Sequence, residues 1–190
     1  MKTTIRWKRF FACALLLSLT WMLWIRPIDN GFTQNKTLEA VAGHAQTDDS
    51  LDLGGELPNP QRITAAQLHK LARMEVHTID PHDSSKEIVY SGTPLVEVLK
   101  AAGLRLDSGM AGIRETVAMT VLVEASDGYR AVFALAELDP ELTDRVILLA
   151  DTRDGQPLSP REGPFRIIVP GEKRPARWVR QVRALTVGKN

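Results

Sequence analysis

Basic side chains are concentrated near the C-terminus of this chain, and the chemistry they offer is the binding of an anion. Between residues 161 and 183 they are opposed mainly by Glu162 and Glu172. The planar fork of arginine bonds two oxygens of a phosphate or carboxylate at once, and the loop 170–175 adds backbone donors. The pattern predicts an anion site or, as the simpler alternative, a solvated basic face. The basic residues are Arg161, Arg166, Lys173, Arg174, Arg177, Arg180 and Arg183.

A second group of potential ligands lies around a proline turn. His77, Asp80, His82 and Asp83 place imidazoles and carboxylates within one short stretch. These groups bind zinc and harder cations, but their spacing matches no established ligand pattern. A solvated turn, in which Asp80 begins a bend before Pro81, explains the same residues. We therefore assign no metal ligand from the sequence.

Several other kinds of chemistry are excluded by what the sequence lacks. Its single cysteine, Cys13, lies in an apolar run near the N-terminus, which excludes a disulfide framework and a cysteine nucleophile in the folded part. No glycine-rich phosphate loop, GxSxG elbow or HExxH motif occurs. Asp127 and Asp154 each precede a glycine and are explained as turn residues. We assign no catalytic residue, and a net charge of +1 argues against a nucleic-acid partner.

The elements that position these residues are strands joined by short turns, with few helices. Thr64 and Gln67 have capping-box spacing, which predicts a short helix to about Arg73. Thr93 as cap and Pro94 at the first helical position predict a second helix. This order of elements favours an α+β fold with a mixed or antiparallel sheet. Alternation and branched residues predict strands at 74–79, 86–90, 116–125, 129–135, 145–150 and 165–169.

The N-terminus has the layout of an export signal, and it divides the chain into three regions. Residues 1–9 are basic, and the run 10–25 is almost wholly apolar. We predict that residues 1–26 form a hydrophobic helix, either an uncleaved signal anchor in the membrane or a cleaved signal peptide. No small-residue cleavage site follows the run, which favours the anchor. The acidic stretch 27–62 is predicted to be a tether, and 63–190 a domain in the periplasm or another extracytoplasmic part of the cell envelope.

Several sequence blocks follow one another between residues 63 and 187. They are Tyr90–Leu95, Val98–Leu99, Ala101–Gly103, Asp127–Tyr129, Ile147–Ala150, Asp154–Leu158, Gly163–Gly171, Arg177–Val179 and Val182. In this order and spacing they resemble the molybdopterin-binding domain of the sulfite-oxidase-like oxidoreductases. The resemblance implies an α+β domain with a mixed, partly barrel-like sheet.

The same resemblance implies a pterin cofactor held by the C-terminal block. By position, Arg166, Lys173 and Arg177 would contact its phosphate and ring edges, with Tyr129 near the mouth of the pocket. The family keeps a molybdenum-ligating cysteine in the loop before the Gly-Thr-Pro-Leu block. Here the corresponding stretch, 80–90, contains no cysteine. A thiolate is a soft ligand that imidazole and carboxylate do not replace like for like.

We therefore expect an exported, membrane-tethered domain without a cysteine-ligated molybdenum centre. It would act by binding a small anion, a pterin or a redox partner at the membrane. One alternative is an active molybdopterin-dependent oxidoreductase whose metal ligand is not cysteine or comes from a partner. A second alternative is a structural domain of an envelope complex. The sequence leaves open whether the protein is an enzyme.

Overall fold

The computed structural model describes residues 49–81 and 83–189. The predicted membrane segment 10–25 and the first part of the predicted tether lie outside these residues. No helix of the described part is long and apolar enough to cross a membrane. The strands of this part form two five-stranded sheets over a continuous hydrophobic core. The predicted α+β class with a mixed sheet is confirmed. The expectation of a partly barrel-like sheet is wrong, because the described strands form two open sheets and no closed barrel.

The elements of the described residues are mostly strands. The strands are β1 (Ser50–Gly55), β2 (Gln61–Thr64), β3 (Met74–Asp80), β4 (Asp83–Pro94), β5 (Met119–Ala125), β6 (Arg130–Ala134), β7 (Leu148–Arg153), β8 (Gln156–Pro157), β9 (Arg166–Ile168) and β10 (Val182–Lys189). The helices are α1 (Ala65–Leu68), α2 (Leu95–Ala101) and α3 (Met110–Val117), with short 3-10 turns at Leu135–Glu137 and Pro175–Arg177.

The first sheet joins the beginning of the described fold to its end. Its strand order is β2-β1-β10-β5-β6, with β1 parallel to β10 and every other pair antiparallel. Leu53 of β1 lies opposite Leu185 of β10. Alternate residues of β5, among them Val121 and Val123, are buried, as the period of two in a half-buried strand requires.

The second sheet brings the residues of the candidate site onto neighbouring strands. Its order is β3-β4-β7-β8, and β9 also pairs with β7; all pairs are antiparallel. Tyr90 of β4 lies opposite Arg153 of β7, and Ala150 of β7 lies opposite Arg166 of β9. Strand pairing thus places Tyr90, Arg153 and Arg166 in one region.

Helix α1 forms at the predicted capping box but is shorter than predicted. The Thr64 N–H donates to Gln67 Oε1 at 2.9 Å, and the Gln67 N–H donates to Thr64 Oγ1 at 3.4 Å. The helix ends at Leu68 instead of reaching Arg73. One turn is enough to bury Leu68 in the core, and the chain then turns towards β3.

The next two helices differ from the sequence prediction at their ends. Pro94, and not Thr93, is the N-cap of α2, and the Thr93 hydroxyl donates to the Leu68 carbonyl at 3.4 Å. Helix α3 was not predicted; it includes Thr116, where a strand was expected to begin, so that strand starts at Met119. Only Thr116 of α3 is buried, which explains why no apolar stripe indicated the helix.

The boundary between tether and domain is also corrected. Strand β1 and the first half of β2 lie in the stretch 27–62 that was predicted to be a tether, so the fold begins before residue 63. Leu51 and Leu53 belong to the hydrophobic core. Acidic residues beside β1 obscure the pattern of this short strand in the sequence. The strand is stabilised by pairing with β10, which is far away along the chain.

Candidate functional site

A groove of about 480 Å³ lies between the end of β3 and the segment Gly171–Trp178. We call it the β3 groove. Its ionisable residues are His77, Asp80, Glu172 and Lys173, and Trp178 provides an apolar wall. Asp80 and Pro81, at the start of the stretch 80–90 in which the sequence shows no cysteine, line this groove, and so does most of the loop that was predicted to surround an anion. The site predicted from the sequence therefore corresponds to this groove and its surroundings.

Arg166 lies beside this groove in a closely packed cluster with two aromatic rings. Its Nη1 donates to the Tyr90 hydroxyl at 3.1 Å and to the Glu162 carboxylate. Its guanidinium carbon is 5.6 Å from the centroid of the Tyr90 ring and 5.7 Å from that of Trp178. The Arg166 side chain is 12% exposed. Such packing over aromatic faces favours the charged guanidinium, but Glu162 already neutralises it.

Arg153 extends the cluster to the end of β3. Its Nη2 donates to Asp80 Oδ2 at 3.1 Å, and its Nη1 lies 3.6 Å from Glu162 Oε1. Burial raises the pKa of Tyr90, against the opposing effect of the Arg166 and Arg153 charges. The Tyr90 phenol therefore stays protonated well into the alkaline range, and it serves as a neutral hydrogen-bond partner of Arg166.

Arg177 is engaged by two other carboxylates. Its Nε donates to Glu172 Oε1 at 2.7 Å, and its Nη1 and Nη2 donate to Glu137 at 3.1–3.2 Å. The guanidinium carbon also lies 4.6 Å from the centroid of the Phe133 ring. Burial alone would raise the pKa of Glu137, but hydrogen bonds from Arg177 and from the Ala134 N–H outweigh it and lower that pKa. Arg177 thus acts here as a link between the 170–178 segment and the turn after β6.

The remaining two predicted residues differ in what they offer. Lys173 is exposed and lines the β3 groove. Tyr129 is 51% exposed, and its hydroxyl donates to the Ala176 carbonyl at 2.7 Å, so it braces the loop that carries Lys173. Of the four predicted residues, the structure places Lys173 in the groove, gives Arg166 and Arg177 carboxylate partners, and sets Tyr129 against the loop's backbone.

The residues that sequence reasoning missed are the partners of the arginines. Glu162 and Glu172 were noted only as charges opposing a basic stretch, and Tyr90, Asp80 and Arg153 were not connected with it. Ser159 and Glu162 have capping-type spacing, and the Ser159 hydroxyl donates to Glu162 at 3.2 Å. The contacts of Asp80 with Arg153 and of Tyr90 with Arg166 join residues from β3, β4, β7 and β9, and no local pattern reveals them.

The proline turn does not gather metal ligands among the residues that the structure describes. Within 49–81 and 83–189 no group of three or more His, Cys, Asp or Glu side chains is arranged to hold an ion. His77 Nδ1 lies 3.0 Å from Glu87 Oε1, and Asp80 pairs with Arg153. His82 lies outside the described residues.

The fold and this site define a class of protein: an α+β domain with a groove beside a cluster of paired arginines. The sequence profile described as "Oxidoreductase molybdopterin binding domain" matches residues 40–190. The chain belongs to that family, as the resemblance of its sequence blocks indicated. No curated protein matches the chain.

A solved structure confirms the fold. The chain is similar to the sulfane dehydrogenase SoxCD from Paracoccus pantotrophus, with 18% sequence identity and a TM-score of 0.59. The match covers 77% of this chain and 40% of that one. This chain therefore corresponds to less than half of the SoxCD chain that it matches, and the likeness concerns the fold.

The described residues do not fit a molybdenum centre held by a cysteine. The only cysteine of the sequence is Cys13, outside the described residues, so the β3 groove contributes no thiolate. The imidazole and carboxylates that line it, those of His77, Asp80 and Glu172, are each paired with another side chain of the described residues. The arginine forks that would hold an anionic cofactor are occupied by Glu162, Glu137 and Glu172.

Proposed function

We propose that this chain is an exported, membrane-tethered member of the family that works by binding and not by molybdenum chemistry. In this proposal the β3 groove binds a small anion, such as a pterin phosphate, or receives an anionic group of a redox partner. One observation carries the proposal: the inner arginines are paired with carboxylates, while Lys173 lines the groove and forms no ion pair with a carboxylate of the described residues.

The charges explain why such a site remains stable when empty. A guanidinium that is partly withdrawn from water needs a nearby negative charge, and in the family's cofactor-bound members an anionic ligand is available. Here Glu162 and Glu172 supply that charge from within the chain. The domain then needs no cofactor in order to fold, and a ligand would interact mainly with Lys173 and the backbone of the Gly171–Trp178 segment.

Metal and pterin content test the proposal. The full-length protein would be purified from carbonate-washed membranes of its own host, which also tests the tether. Molybdenum would be measured by mass spectrometry, and pterin by fluorescence after oxidation. We expect molybdenum at background. Near-stoichiometric molybdenum with pterin would overturn the proposal and support the working oxidoreductase with an unusual ligand.

Charge reversal at Lys173 distinguishes binding from a structural role. Lys173→Glu is expected to reduce the affinity for inorganic phosphate, or the pterin signal where one is found, at least about fivefold, because it replaces an attraction by a repulsion. Lys70→Glu is the matched control, since Lys70 is an exposed lysine that does not line the groove. Absence of any phosphate binding to the wild type, or equal binding by both variants, would favour the structural domain of an envelope complex.

A further inference from the structure

A second cavity, of about 300 Å³, shares no lining residue with the β3 groove. It lies between α1, β7 and the loop that follows β8. We call it the proline pocket, because three prolines line it together with two apolar side chains. These residues are Pro157, Leu158, Pro160, Pro164 and Phe165. Phe165 is fully buried and belongs to the hydrophobic core. A concave apolar surface of this size lies at the lower end of the range for small-molecule sites.

A polar side chain with a fixed partner, His69, lies at the edge of the apolar walls, where it is paired with Asp151. Asp151 accepts two hydrogen bonds from the fork of Arg73, both at 2.7 Å, and lies 3.0 Å from His69 Nε2. The Asp151 side chain is 12% exposed, whereas His69 is 55% exposed and lines the pocket. Because an ionised carboxylate only accepts hydrogen bonds, the neutral His69 ring carries its proton on Nε2, and Nδ1 is left as an acceptor.

The charges around the proline pocket select against an anionic ligand. Asp49 and Asp151 both line it, and Arg73 already matches the charge of Asp151. A carboxylate or phosphate would meet repulsion there and would lose its hydration against apolar walls. The preferred ligand is therefore neutral, apolar over most of its surface, and equipped with one hydrogen-bond donor.

We propose that the proline pocket is a second binding site, which takes a small aromatic alcohol of the phenol class. Its ring packs against the prolines and Phe165, and its hydroxyl donates to His69 Nδ1. Asp151, held by Arg73, acts as a positioning residue that fixes the tautomer of His69. This site is independent of the β3 groove and of what that groove binds.

Phenol and toluene, titrated separately against the full-length chain by ligand-observed NMR, test the proposal. The two probes have nearly the same size, but only phenol has a hydroxyl to donate. We expect saturable binding of both, with phenol about fivefold tighter because of one net hydrogen bond. His69→Ala should remove the preference and leave toluene binding unchanged. Lys70→Ala is the control, since Lys70 is exposed and adjacent to His69 in sequence but lines neither the proline pocket nor the β3 groove.

A second variant tests the place of binding. Pro157→Glu puts a charge at an exposed position of the apolar wall, and it should weaken both probes at least about tenfold, since the ring would then pack against a hydrated carboxylate. The proposal is overturned by any one of three results. These are no saturable binding to the wild type, an unchanged affinity in Pro157→Glu, or a phenol preference that survives in His69→Ala.

Discussion

The Glu162 carboxylate neutralises the charge of Arg166 and limits its ability to bind another anion. It binds Nη1 of Arg166 and lies 3.6 Å from Nη1 of Arg153, so one acidic side chain serves two cations. The Arg166 Nε is buried and has no hydrogen-bond partner among the described residues, which makes the compensation by Glu162 more important to the stability of the cluster. A carboxylate and a phosphate offer similar oxygen pairs to an arginine fork. Glu162 thus occupies the place at which an external anion would bind Arg166.

Glu162→Gln tests this compensation, because it removes the charge while nearly preserving the shape. We expect a loss of about 2 kcal/mol in the free energy of unfolding, since Arg166 keeps its burial and loses its counter-charge. The measurement is urea unfolding of the full-length chain at neutral pH. Glu97→Gln is the control: it breaks the more exposed Glu97–Lys100 pair and should cost less than about 0.5 kcal/mol. Equal, small losses in both variants would show that the Glu162 pair is no more important than a surface pair.

The candidate site was only partly predictable at the scale of residues. Composition and spacing indicated an excess of positive charge near the C-terminus, and Lys173 does line the groove. They did not reveal that Arg166 and Arg177 are neutralised. Glu162 is four residues from Arg166, but Glu137 is distant from Arg177 in sequence and comes from the turn after β6. Charge pairing of that kind depends on the tertiary fold.

At the scale of elements, the strands with local signals were predicted and those without them were missed. The two strands β5 and β6 have an alternating pattern and an Asp-Gly turn between them, and they form an antiparallel hairpin, although β5 starts at Met119 instead of residue 116. By contrast, β1 lies between the short strand β2, which follows it in sequence, and β10, which pairs with it from the other end of the domain. Long-range parallel pairing leaves little trace in a local pattern.

Gly92 shows how closely two elements approach beside the site. It lies in β4 opposite Ala150 of β7, next to an irregularity in the pairing. A Cβ at this position would overlap the Leu149 carbonyl oxygen and come within 2.6 Å of the Ala150 Cα. Both are backbone atoms that cannot turn away. Glycine is therefore required here for the contact between strands.

Gly92→Ala should accordingly separate β4 from β7 and lower the free energy of unfolding by about 2 kcal/mol, through overpacking. Gly54→Ala in β1 is the control, since a Cβ there would meet no atom within 4 Å; its effect should stay within about 0.5 kcal/mol. The two unfolding curves would be compared with that of the wild type. If Gly92→Ala unfolds like Gly54→Ala, β4 and β7 have room to move apart, and the proposed role of Gly92 is wrong.

At the scale of the whole molecule, the hydrophobic core depends on residues that precede the sequence-predicted domain. Leu51, Leu53 and Leu57 are each at most 4% exposed, and they belong to the same core as residues of α2, β5 and β10. In the first sheet, β1 also lies between β2 and β10. Removal of β1 and β2 would expose apolar side chains of the core and leave β10 with an unpaired edge.

A comparison of two fragments tests this dependence. A fragment of residues 63–190, the domain predicted from the sequence, should fail to unfold cooperatively in urea, because it lacks β1, half of β2 and the three buried leucines Leu51, Leu53 and Leu57. A fragment of residues 40–190, the range of the family match, should unfold in one cooperative transition. Circular dichroism and tryptophan fluorescence would follow both, since Trp178 is buried at the candidate site. Cooperative unfolding of the shorter fragment would mean that the second sheet and the arginine cluster are stable without β1. In that case the residues up to 62 would not be required for the rest of the domain to fold, although β1 and the first half of β2 pair in the first sheet.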